Sequence, residues 1–483
     1  MNKAIFATIL CCFAFFTVAS GAVNFPYPQE SSYSNGAIVT SSEASAALKA
    51  KFESFFGSHY ENSSDNTMGR IKWDTQTQTV SEGIGYGMIM MVYFSDASRS
   101  YQAEFDRLWK YYNNFLNQNG LMNWKINGFT GVAERNAATD AEFDVAFALE
   151  MARYQFGDQK YLNDAQTLIG KIKQHEMETN GLHKPGDMWN TKRNPSYVSP
   201  AAFELFKRVD NSFWTTALTR NYTLLKANQN SSTGLPSDWC NDNGGPVDNN
   251  NFGYDASRAP WRWAWAYAWF GHSEVKELLD KLSNWVSGKA PTDIKGSINV
   301  SSGQGGTDNN STFIGPLLNS MQVSSNYQDK INTYWAELIK KNEASYFNKS
   351  MQLLTGLLAT GNMPNLKALS EAPPSSSSAP PSSSSSAPSS SSYSSSSSSN
   401  EDTPIILPQL VRSNALNPMN NSVNLQAINN ATIQIFDLKG NAIRILKFEP
   451  GNYVVQLTDL PRGLYIIKAT SASWKQTVKI MVK

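Results

Sequence analysis

The run "AEFDVAFALEMARYQF", residues 141–156, carries apolar side chains at three- and four-residue spacing and leaves almost no face of a helix polar. That periodicity predicts a helix, and apolar character nearly all round predicts a helix inside a bundle. "RWAWAYAWFG" (262–271), "QDKINTYWAELIKK" (328–341) and "SMQLLTGLLATG" (350–361) show the same spacing, and several of these runs are again apolar nearly all round. The large part of the chain that contains them is expected to be all-α.

With 483 residues, the chain exceeds one ordinary domain, and 41% hydrophobic with 12% aromatic residues suffices for a large core. A net charge of +1 gives no electrostatic reason to expect nucleic acid or an anionic membrane as partner. The opening "MNKAIFATILCCFAFFTVASGA" places Lys3 before an apolar run that ends in small residues, the pattern of a secretory signal peptide over residues 1–22. Cys11 and Cys12 leave with it, so the mature chain keeps only Cys240 and forms no internal disulfide. Leu10 before Cys11 is too large for a lipoprotein cleavage site, so the chain is read as released rather than lipid-anchored.

Residues 371–403, mostly serine and proline, cannot bury apolar surface and read as a disordered linker. Beyond it, "ATIQIFDLKGNAIRILKF", "GNYVVQLTDLPRGLYIIKA" and "KQTVKIMVK" read as short strands, which predicts a small β-sandwich over 404–483. Its "LPRGLYIIKA" and terminal "KIMVK" resemble the C-terminal sorting domains of proteins exported by the type IX system. That resemblance implies the type IX secretion machinery as a partner and a protein secreted from, or held at the surface of, a Gram-negative bacterium. A carbohydrate-binding module is the competing reading, with Tyr453, Tyr465 and Trp474 as its only obvious aromatic candidates.

Between the leader and the linker, residues 23–370, three segments each set a carboxylate at the start of an apolar helix. In "TVSEGIGYGMIMMVYF" (79–94), Ser81 is expected to cap a helix with Glu82 in its first turn, where the peptide dipoles favour a negative charge. Glycines at 83, 85 and 87 each disfavour a helix interior by about 1 kcal/mol, which points to a close backbone approach. In "NAATDAEFDVAF", Thr139 and Glu142 fit a capping box, which assigns Glu142 to capping and puts Asp140 in the first turn, with Asp144 one turn on. In "NFGYDASRAPWRWAWAYAWFG", Asp255 precedes a helix that begins near Pro260 and ends at Gly271, with Arg258 three residues on. Trp261, Trp265 and Trp269, four residues apart, read as core. Capping explains any one of these acids; their repetition points instead to a gathered site. Two carboxyls in different environments are what glycosidic hydrolysis needs, one to protonate the leaving oxygen and one to activate water. Trp124, Trp189, Tyr197 and Trp239, in the loops between, are candidates to stack on sugar rings or to be buried.

The ordered blocks "TVSEGIGYGM", "GLMNWKI", "AATDAEFDVAFAL", "NPSYVSPAAF", "GLPSDWC", "YDASRAPWRWA" and "SMQLLTGLLATGNMPN" resemble glycoside hydrolase family 8 over about residues 23–369. The resemblance implies an (α/α)6 barrel that cleaves β-1,4-linked glycans with inversion, as a monomer, without metal or other cofactor. It implies Glu82 as general acid, Asp255 as general base, Asp140 as the acid that binds the sugar at the cleavage point and Tyr197 beside the attacking water. Ser81, Trp124, Trp189 and Arg258 follow as substrate-binding residues. "SEGIGYGM" with "ATDAEFD" looks more like the family's cellulases than its xylanases, which carry serine at the position of Gly85; Glu142 departs from the aspartate common among the cellulases. The expected activity is therefore that of a secreted endo-β-1,4-glucanase on cellulose or mixed-linkage β-glucan. An endo-xylanase, a chitosanase or a non-catalytic glycan-binding barrel are the alternatives.

Overall fold

The computed structural model describes residues 22–371 and, beyond them, seven strands between Ala415 and Val482 with a few residues that connect them. The chain divides into two units, Met1–Leu369 and Ser370–Lys483. The expected signal peptide lies outside the described residues apart from Ala22, and the expected linker apart from Glu371.

The first unit is built from helices α1 (Ala44–His59), α2 (Ser81–Phe94), α3 (Gln102–Asn114), α4 (Thr139–Phe156), α5 (Lys160–His175) and α6 (Pro200–Phe206). It continues with α7 (Asn211–Asn228), α8 (Ala259–Phe270), α9 (Ser273–Ser287), α10 (Ser311–Met321), α11 (Gln328–Lys340), α12 (Tyr346–Ala359) and the short α13 (Leu366–Glu371). The even-numbered helices form a closed ring: α2 packs on α4, α4 on α6, α6 on α8, α8 on α10, α10 on α12, and α12 returns to α2. Most odd-numbered helices pack outside an even-numbered neighbour, so the unit is a helical barrel.

The residue patterns explain which helices go inside. In α2 every residue except Glu82 is buried, and in α8 Trp261, Trp263 and Trp265 are fully buried. Trp269 packs partly buried against the same core. Helix α9, by contrast, buries Val275, Leu278, Leu279, Leu282 and Val286, one stripe at helical spacing, and keeps Lys276, Glu277 and Lys281 outside. Each large apolar side chain on such a stripe contributes up to about 1.5–3 kcal/mol on burial. Helices α4 and α8 stop where glycine permits a left-handed residue, at Gly157 (φ 80°) and Gly271 (φ 66°).

Two expected caps do not form. Helix α2 is preceded by extended Val80, so Ser81 is its first helical residue and its hydroxyl is buried without a hydrogen bond. Helix α4 begins after Ala138, and Glu142 turns into the protein, fully buried, where it accepts a hydrogen bond from the Tyr112 hydroxyl at 3.2 Å. The interior claims Glu142 before the helix terminus can use it.

In the second unit the described strands form two antiparallel sheets. One orders Ala442–Phe448, Ala431–Phe436, Gly463–Ser471 and Lys475–Val482; the other orders Gly451–Gln456, Ser422–Ala427 and Ala415–Met419. Ile435 pairs in register with Ile467, and both are fully buried. Tyr465 is buried and donates its hydroxyl to the Pro461 carbonyl, so it offers no flat face to a sugar. The side chains of Tyr453 and Trp474 lie outside the described residues.

Candidate active site

The strand Gln78–Val80 runs directly into α2 and pairs with Lys125–Asn127, and the Ser81 amide donates to the Trp124 carbonyl at 2.8 Å. This small sheet sets Trp124 beside the start of α2. Helix α2 approaches α4 so closely that a Cβ on Gly85 would stand 2.9 Å from Cβ of Asp144. The glycine expected to allow a close approach thus faces a neighbouring helix and not a ligand.

The starts of α2, α4 and α8 converge on a cleft of about 540 Å³ lined by Ser81, Glu82, Trp124, Asp140, Tyr197, Asp255 and Arg258. Arg258 is 3% exposed and lies at the centre. Its Nη1 donates to Glu82 Oε2 at 2.7 Å and to Asp140 Oδ2 at 2.5 Å, while its Nη2 stands 3.5 Å from Asp255 Oδ1. One cation thus faces three carboxyls, which leaves a proton favoured on one of them.

Glu82 is the group best placed to hold it. Burial pushes its pKa up to about 7; Arg258 pulls it down, the Asp140 charge pushes it up, and the Tyr346 hydroxyl, which donates to Oε1 at 3.1 Å, pulls it down. Burial raises the pKa of Asp140 also, against the pull of Arg258. Asp255 has a different environment: its side chain is 43% exposed, with Oδ1 accepting from Asn194 Nδ2 at 3.3 Å and Oδ2 from Trp239 Nε1 at 2.9 Å. Tyr197 sits on a 3-10 turn, Pro195–Tyr197, with the Arg258 guanidinium 5.2 Å from its ring centre. A largely desolvated carboxyl with a raised pKa and an open carboxyl that reaches solvent are the two environments that acid–base hydrolysis needs.

Of the residues expected from sequence, Trp189 and Trp239 do not line this cleft. Trp189 is 38% exposed, and its ring stands 5.1 Å from Trp239, which in turn holds Asp255. Sequence reading missed Trp73, Asp74, Tyr254 and Phe347, which complete the cleft wall, and Tyr346 and Asn194, which bond to the two carboxyls. Tyr254 directly precedes Asp255, and that adjacency is its one signal in the sequence. Tyr346 and Phe347 come from α12, 264 and 265 residues beyond Glu82, and no local pattern signals that meeting. Among the described residues no group of three or more His, Cys, Asp and Glu side chains is arranged to hold a metal ion, and no helix is long and apolar enough to cross a membrane.

Comparison with known proteins gives the family of each unit. The family of glycosyl hydrolases family 8 matches residues 24–362, and the secretion system C-terminal sorting domain matches residues 417–483. Endoglucanase 2 of Ruminiclostridium josui is 33% identical over 378 residues, 74% of this chain and 81% of that protein. A reducing end xylose-releasing exo-oligoxylanase of Halalkalibacterium halodurans is 26% identical over 290 residues, 52% of this chain and 72% of that protein. Among solved structures, the apo β-1,3-1,4-glucanase of Paenibacillus sp. X4 superposes with a TM-score of 0.66 at 24% identity, over 71% of this chain and 99% of its own.

Proposed function

Because the chain belongs to family 8 of the glycosyl hydrolases, we propose that it is a secreted, inverting endo-β-1,4-glucanase that hydrolyses cellulose or mixed-linkage β-glucan in an (α/α)6 barrel. The reading rests on one observation above all: Glu82, only 17% exposed and with its pKa pushed up to about 7, shares a guanidinium with Asp140 while Asp255 stays open to solvent. Glu82 protonates the leaving oxygen. Asp255 takes a proton from the water that attacks the opposite face of the sugar. Asp140 holds the ring at the cleavage point, and Tyr197 orders the water. Ser81, Trp124 and Arg258 bind the chain within the cleft, and Trp189 extends its grip outside. No metal or other cofactor takes part.

The similarity to Endoglucanase 2 favours a glucan over xylan or chitosan. The domain division proposed is a leader to residue 22, the hydrolase over 23–370, a linker over 371–403 and a β-sandwich over 404–483 that addresses the protein to the type IX machinery of a Gram-negative bacterium. The sorting-domain match over 417–483 supports that address.

Two measurements test the activity. Rates on carboxymethylcellulose, barley β-glucan, xylan and chitosan should favour the glucans by tenfold or more, about 1.4 kcal/mol in transition-state binding. Equal rates on xylan would reject the substrate assignment. Proton NMR of the first product should show the α-anomer; a β-anomer would overturn the pairing of Glu82 with Asp255.

A further inference from the structure

The cleft residues stand on a second layer one helical turn deeper. On α2, Tyr86 follows Glu82 by four residues; on α4, Asp144 follows Asp140; and Arg262 of α8 follows Arg258, the last residue of the 3-10 turn Ala256–Arg258 that leads into α8. In the lower layer Arg262 donates Nη1 and Nη2 to the two oxygens of Asp144, both at 2.7 Å, and both side chains are all but fully buried. The upper layer repeats the same contact, Arg258 at the entrance to α8 against Asp140 of α4, but there the arginine is divided with Glu82. The Arg262 charge also acts on Asp140. It is drawn to an acid above as well as to the one beside it.

We propose that Asp144 and Arg262 are positioning residues for the proton donor: by engaging Arg262 at both nitrogens, Asp144 leaves Asp140 to compete for Arg258, and so prevents Arg258 from closing fully on Glu82. This rests on the reading of Glu82 as general acid. The groups that face Glu82 are Arg258 from the 3-10 turn that leads into α8, Asp140 and Asp144 from α4, Tyr346 from α12, Tyr86 from its own helix and Tyr197 from the turn Pro195–Tyr197. Only Arg258 among them is a cation, so its division between two acids decides how firmly Glu82 keeps a proton. If Asp144 loses its charge, Arg262 turns toward Asp140, Asp140 loosens its hold on Arg258, and Arg258 settles on Glu82 and favours its ionised form. Loss of the Asp144 charge itself acts in the same direction.

A buried ion pair that merely braces α4 against α8 would change stability and move the pH dependence of D144N only by the direct loss of the Asp144 charge, a weaker influence on Glu82 than Arg258, Asp140 or Tyr346, so the size of the shift separates the two roles. The full chain, D144N and D144N/R262M would be compared on soluble β-glucan between about pH 5 and pH 9. In D144N the alkaline limb of kcat/KM should move to lower pH by about half a unit or more, with kcat down about tenfold and KM within about twofold. In D144N/R262M, with the competing cation gone, the limb should return to within about 0.2 unit of the parent while kcat stays at least about threefold low. A folded D144N with the parent limb overturns the proposal. Should D144N not fold, the double variant decides alone, because replacement of both partners removes the unpaired buried charge; full kcat or a displaced limb in it overturns the proposal. The donor role itself is tested separately by Glu82→Gln on substrates whose leaving group needs no proton.

Discussion

Glu82 works against its own helix. The N-terminus of α2 favours the ionised carboxyl by about 0.3–1 kcal/mol, yet the shift from 4.5 to about 7 amounts to roughly 3 kcal/mol in the opposite direction. Burial wins, helped by Asp140 and opposed by Arg258 and Tyr346. Because the acid must be protonated to act, activity should fall as pH rises through about 7, and the alkaline limb of kcat/KM should lie there. A limb above pH 9 would show that another group donates. Glu82→Gln should lose 10²-fold or more on natural glycans and far less on activated aryl glycosides. Asp255→Asn should be poor on both, since activation of water is common to them. Asp140→Asn should raise KM and shift the alkaline limb downward, because a negative neighbour of Glu82 is gone; an unmoved limb would separate Asp140 from the donor.

The meeting of α2 with α4 depends on the absence of a side chain at Gly85, where a Cβ would stand 2.9 Å from Asp144 Cβ and 3.3 Å from the Ala141 carbonyl. Neither contact is the free end of a flexible chain, so the helices must part. Gly85→Ser should cost about 1–3 kcal/mol of stability and lower the melting temperature by a few degrees. It should also reduce kcat, because Glu82 rides on the displaced helix while Asp140 and Arg258 stay on the others. Calorimetry beside steady-state kinetics checks both; a variant stable and active as the parent would mean that the approach is slack. The same contact gives the glycine a structural reason that local propensity could not supply.

The hydrolase and the strand-rich unit are separate in the chain, and every residue of the candidate cleft belongs to the first. A chain that ends at Leu369 should therefore keep its rate on soluble glucan, within about twofold, and fail to leave the native cell. Loss of rate would tie the second unit to catalysis. Export at the normal level would remove its sorting role. Tyr465 turned into the sheet, with its hydroxyl on Pro461, gives no support to a sugar platform there, so affinity for insoluble cellulose should not fall on removal of the tail. A pull-down on crystalline cellulose checks this.

Sequence alone marked some of the helices and two that lie inside, because apolar periodicity records the environment each residue needs: the runs at 141–156 and 262–271 became α4 and α8 within three residues at either end. It also brought forward Glu82, Asp140 and Asp255, since acids at the mouths of apolar helices break the local pattern. Only the tertiary structure decided which partners those acids meet. Ser81 and Glu142 have the spacing of caps, yet Val80 takes the cap position before Ser81, and Glu142 turns into the interior to Tyr112. Tyr346 lies 264 residues from Glu82, and Arg258 divides itself between helices 118 and 176 residues away. A proton affinity depends on distance through space and on exclusion of water, and neither exists until the ring of helices closes.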